Sequence, residues 1–150
     1  MAQSFSVNWN LTNTASATVP MINGMNTATN AMQIYEVNAG SDASADNAVK
    51  YRLERSTARG TQSASVTPSD IGTAAAAAVC TFDTAWNINP TIGGANLLQW
   101  GMHQRATYRW VAYDYTKMLQ TQAGTAKGLA LVSAVVSSAF NAVFSIEYQE

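Results

Sequence analysis

Between Gly128 and Ile146 the chain runs nineteen residues without a charged side chain, and the way that stretch folds decides the class of the whole protein. A run this apolar is long enough for a membrane helix, which needs about 20 largely apolar residues. Its pattern argues otherwise. Ser133, Ser137, Ser138, Asn141 and Ser145 interrupt it, and beyond the serine pair Phe140, Ala142, Phe144, Ile146 and Tyr148 alternate with Asn141, Val143, Ser145, Glu147 and Gln149. A period of two marks a strand with one face buried. The stretch therefore reads as two strands, Leu129 to Val136 and Phe140 to Tyr148, joined by a short Ser-rich turn.

The same period recurs upstream. Val49, Tyr51 and Leu53 face one way and Lys50, Arg52 and Glu54 the other, as in a half-buried strand. From Arg105 to Tyr113, Ala106, Tyr108, Trp110 and Ala112 alternate with Arg105, Thr107, Arg109, Val111 and Tyr113, so large side chains stand on both faces. Shorter candidates are Phe5 to Trp9, Met32 to Val37, Gln62 to Val66, Val79 to Phe82 and Asn96 to Trp100, separated by clusters of Gly, Asn, Asp and Pro. The expected fold is all-β: a single domain over residues 1–150, built as a β-sandwich, jelly roll or barrel-like closure. It carries extended loops or arms and at most one short helix. Ser69 to Val79, where Ser69-Asp70 precedes the run Ala74 to Ala78, admits either that helix or an Ala-rich loop. The stretch 11–31 has little periodicity and reads as an extended arm, and 114–127 as a loop insertion or an arm that touches a neighbour.

Composition excludes several functions. Only 11% of residues are charged, against about 25% in an ordinary domain, and the net charge is -1. Neither nucleic acid nor an anionic membrane is an expected partner. A small-residue surface poor in charge is weakly protected against association, which suits a protein that works in a lattice or oligomer. The N-terminal residues lack a basic segment followed by an apolar run, so no secretory signal is expected. The single cysteine, Cys80, reads as a buried structural thiol.

Chemistry is hard to place on this chain. His103 is the only histidine, and no G-x-S-x-G elbow accompanies it. Asp42 and Asp46 bracket a Ser/Ala loop without the graded spacing or closing glutamate of a calcium site. The glycines form neither phosphate-binding nor dinucleotide-binding patterns. The expectation is a protein that is not an enzyme and uses no cofactor or metal. Trp9, Trp86, Trp100 and Trp110 are platforms for a sugar or, more simply, core and interface residues. The candidate interface set is Arg52, Arg55, Arg105, Arg109 and Trp110: guanidinium forks pair well with carboxylates at interfaces, and solvated strand faces are the plain alternative.

Several blocks together resemble a known family. They are Ile34-Tyr-Glu-Val37, Ala45-Asp-Asn-Ala48, Arg55-Ser-Thr-Ala-Arg-Gly-Thr61, Val66-Thr-Pro68, Gln104-Arg-Ala-Thr-Tyr-Arg-Trp-Val111 and Val143-Phe-Ser-Ile-Glu-Tyr-Gln-Glu150. As a set, these are similar to small virion proteins of tailed bacteriophages. The resemblance implies a structural role in the particle, as a decoration or cement protein. Such a protein sits on the major capsid protein shell as a homo-oligomer, often a trimer, with no enzyme activity. The segment Asp114 to Lys127 departs from the family's Pro- and Gly-rich connection. Two rival roles share the same architecture: a tail or neck protein, and a carbohydrate-binding module in host attachment.

Overall fold

The structure, a computed structural model, describes residues 2–13, 19–27, 29–42, 48–72, 77–103, 105–136 and 140–150. Strands account for nearly all regular structure: β1 Ser4–Asn13, β2 Ile22–Met25, β3 Gln33–Ser41, β4 Ala48–Ala58, β5 Thr61–Val66, β6 Ser69–Asp70, β7 Thr81–Ile88, β8 Thr91–His103, β9 Tyr108–Val111, β10 Leu119–Gln120, β11 Gly128–Val136 and β12 Phe140–Gln149. A single 3-10 turn, Tyr115–Lys117, is the only helical element among the described residues.

Two antiparallel sheets pack face to face. In the first, β3 is followed by β12, β1 and β6, and β9 and β10 lie end to end along the outer edge of β3. The second runs β5, β7, β2, β11, β4, β8. The alternation in β12 does what the sequence predicts: Phe140, Ala142, Phe144, Ile146 and Tyr148 are buried, and the residues between them face outward. In register with them on β1, Trp9 stacks on Phe144 at 5.2 Å and Phe5 on Tyr148 at 5.6 Å. Tyr51 and Phe82 reach across from the second sheet, their ring centroids 5.1 Å from Phe144 and 5.3 Å from Tyr148. Each such ring contributes roughly 1.5–3 kcal/mol by burial. On β3 the buried residues are Ile34, Val37 and Ala39, because a bulge between Ile34 and Glu36 resets the phase against β12.

The second sheet is built around one bent ribbon. Strands β4 and β5 are a single run broken only by Arg59-Gly60, and β7 and β8 a single run broken only by Asn89-Pro90. Pairing continues from Ala48 opposite His103 to Val66 opposite Phe82. Yet β4 adds to β11 while β7 adds to β2, so the ribbon folds over and curls the sheet. Successive register shifts in both halves supply the bend. At its crest Gly60 has φ +76°, and a Cβ there would lie 2.2 Å from the Ile88 carbonyl oxygen. No L side chain fits either condition. Arg59 reaches back from the crest to β7, where Nε and Nη2 donate to the Asp83 carboxylate at 2.7 and 2.9 Å. The central strands β2 and β11 are buried on both faces: Ile22, Leu129 and Leu131 toward the first sheet, and Asn23, Met25, Ala130 and Val132 on the other side.

Three expectations need correcting. Ile22–Met25, inside the stretch 11–31 read as an arm, is a fully buried strand. Arg105 to Tyr113 is a strand only over Tyr108–Val111, because the chain turns at Ala106, whose N–H donates to the His103 carbonyl, and crosses from the second sheet to the first. Trp100 and Tyr108 stack at 4.6 Å across that crossing. Ser69-Asp70 does not cap a helix but pairs with Ser6 and Phe5 on β1; Ala74 to Ala76 lie outside the described residues, as do Asp46 and the turn at 137–139. Within 114–127, read as a loop insertion or an arm, Tyr115–Lys117 forms the 3-10 turn and Leu119–Gln120 pairs with β3.

Candidate functional site

The five residues proposed from sequence as an interface do not converge. Arg52 and Arg55 stand on opposite sides of β4. Arg52 Nε lies 2.8 Å from Glu54 on the same strand, whereas Arg55 prolongs the inward row Val49, Tyr51, Leu53, opposite Leu129. Arg105 sits in the turn before β9, where its backbone N–H donates to His103 Nδ1 at 3.3 Å. Arg109 lies on the outer face of β9 and forks onto Glu36 at 2.8 and 2.9 Å. That hydrogen bond holds the Glu36 carboxyl below the usual carboxylate range. Trp110 faces the other way, packed against the core.

The remaining candidates are also placed. Trp9 and Trp100 are buried and Trp86 is half-buried, so Trp100 is not a groove-lining platform. His103 is exposed at the end of β8. Asp42 bonds Asn141, its carboxylate accepting from the backbone N–H at 3.2 Å and from Nδ2 at 2.9 Å. Among the described residues no three His, Cys, Asp or Glu side chains group to hold a metal, and no helix is long and apolar enough to cross a membrane. Cys80 is buried, and burial, with the Glu150 carboxylate beside it, pushes its thiol well up. Glu150 also accepts the Val79 and Cys80 N–H groups at 2.7 and 2.9 Å.

The surface feature that stands out lies at the outer edge of the first sheet. Tyr113 is 81% exposed, Tyr115 75% and Val111 46%. Every other aromatic side chain of the protein is buried or half-buried. The sequence placed Tyr113 at the end of a strand and Tyr115 in a segment read as a loop insertion or an arm that touches a neighbour; the signal for the pair itself is the i, i+2 spacing of the two tyrosines. The rim is held in place from below. The Asp114 carboxylate accepts from the Thr116 N–H at 2.7 Å and from its hydroxyl, which fixes the 3-10 turn. Beyond β10, Thr121 is buried. Its hydroxyl accepts from Asn26 Nδ2 at 2.7 Å and from the Met32 N–H at 2.9 Å. Asn26 Nδ2 also donates to the Gln122 carbonyl at 2.5 Å. Thus two exposed rings stand on a segment tied to the core by a buried polar knot. Large, rigid, amphipathic side chains set on a firm base suit recognition by contact.

Comparison of the chain with protein-family profiles, with curated proteins and with solved structures found no match.

Proposed function

We propose that this protein is a non-enzymatic structural component of a tailed-phage virion, a decoration or cement protein of the capsid surface. It self-associates, as a trimer, and bridges subunits of the major capsid protein. The observation that carries this reading is the exposed Tyr113 and Tyr115 pair beside Val111, on a chain whose other Phe, Tyr and Trp side chains are buried or half-buried. Aromatic anchors dominate protein interfaces. A patch of three side chains makes a small contact, and a lattice of many copies sums small contacts into firm attachment. The low charge of the chain and the resemblance of several sequence blocks to small virion proteins support the same reading.

The test has two parts. Light scattering of the purified protein is expected to give the mass of a trimer, and expanded capsids lacking it should bind it saturably at a fixed high stoichiometry in co-sedimentation. Tyr113→Ser with Tyr115→Ser should reduce capsid binding or self-association at least tenfold while leaving the urea midpoint unchanged. A monomer that does not bind capsids would overturn the proposal. So would a double variant that binds like the parent.

A further inference from the structure

The eight basic residues of this charge-poor chain are not treated alike by the fold. Arg52, Arg59 and Arg109 each face a carboxylate. Arg55 and Lys127 do not: both are half-buried, and neither has a carboxylate partner among the described residues. The register places them together. Gly128 pairs with Ser56 and Leu129 with Arg55, so Lys127, just before β11, stands on the same side as Arg55 and diagonally across from it. Long side chains at such positions reach one another. Both cations stand at the end of a core-facing row, with no ion pair to a described carboxylate.

Between them is a cavity of about 60 Å³, lined by both cations together with Thr57, Gln122 and Gly93. A Cβ at Gly93, one of the lining residues, would meet nothing within 4 Å. The volume holds a few water-sized groups. It lies far below the roughly 300 Å³ at which small-molecule sites begin, so nucleotides and sugars do not fit inside, whereas a single small anion does.

We infer that Arg55 and Lys127 form a site for one oxyanion of the phosphate or sulfate class. Guanidinium and ammonium groups together match such an ion, the first as a fork and the second as a point charge. Thr57 and Gln122 add neutral donors at the rim. The occupant comes from outside the described chain, because all eight described carboxylates are already engaged. Glu36, Glu54 and Asp83 face arginines, and the other five accept hydrogen bonds from nearby groups. This inference is independent of the role in the virion.

The experiment is thermal unfolding of the full chain with increasing inorganic phosphate, against sodium chloride at matched ionic strength. Phosphate should raise Tm saturably, by about 5–11 °C at a hundred times Kd. Arg55→Gln and Lys127→Gln should each weaken the response at least tenfold. To separate loss of site from loss of fold, phosphorus NMR follows line broadening of phosphate on adding protein whose circular dichroism is native: broadening by the parent and none by either variant is expected. A phosphate response no larger than chloride's, or variants that broaden and respond like the parent, would overturn the inference.

Discussion

The bent ribbon makes a quantitative demand on Arg59. Its guanidinium forks onto Asp83 at 2.7 and 2.9 Å, and the Asp83 side chain is 0% exposed while that of Arg59 is 35% exposed. Removing the cation by Arg59→Leu strands a carboxylate in the interior. For fully buried pairs the cost of such a break is about 3–5 kcal/mol. Water reaches Arg59 here, so the lower end applies, about 3 kcal/mol, out of a total stability of roughly 5–15 kcal/mol. In a domain of this size that lowers Tm by about 6–12 °C. Asp83→Asn keeps the shape and leaves the guanidinium open to solvent, at a cost of about 1–2 kcal/mol. The double variant should lose at least about 1 kcal/mol less than the two singles together, since the partners act as a unit. Urea unfolding followed by tryptophan fluorescence, at fixed protein concentration, measures all three. An Arg59→Leu cost below about 1 kcal/mol, the range of an exposed ion pair, would refute the view that this contact pins the fold-over. So would simple additivity.

Two further outcomes follow from the same geometry. Gly60→Ala puts a Cβ against the Ile88 carbonyl oxygen at a φ of +76°. It should lose more than about 1 kcal/mol, whereas Gly93→Ala, in open space, should change the urea midpoint little. The folded-state pKa of Cys80 is raised above the ordinary thiol value of about 9 by burial, then by Glu150, so only the unfolded thiol ionises as pH passes 9. Stability is therefore full below that pH and falls above it, by about 1.4 kcal/mol for each further unit. Cys80→Ala should remove the loss between pH 9 and 10 in urea titrations, and a Cys80→Ala curve that falls as steeply as the parent's would contradict the burial argument.

Much of the sandwich was legible because its strands are buried on one face only. The β12 alternation survives intact in the structure, down to the rings that stack on β1. Strand β2 was not legible for the opposite reason. Buried on both faces, Ile22-Asn-Gly-Met25 has no alternation to show, and its Gly24 is there because a Cβ would meet the Phe82 ring at 2.7 Å. The two-residue strands β6 and β10 are too short to carry a period at all. The bulge in β3 turns Tyr35 and Glu36 outward together, which no fixed period anticipates. As for the arginines, their spacing already held a warning. Residues 52 and 55 differ by an odd number, so on one strand they point to opposite faces.

The fold-over and the tyrosine rim meet in the segment 121–127 of this charge-poor chain. Pairing of β4 with β11 sets Arg55 diagonally across from Lys127, and at the bend beside Gly60 Arg59 reaches Asp83. The tyrosine rim hangs on the other sheet, where β9 and β10 pair with β3 and the Asn26, Met32 and Thr121 knot closes behind them. That support reaches the cations as well: the Asn26 backbone N–H donates to the Lys127 carbonyl at 3.0 Å, and its Nδ2 to the carbonyl of Gln122, a residue of the cavity wall. The exposed rings and the anion site therefore rest on one shared support, and loosening the Asn26–Thr121 knot acts on both.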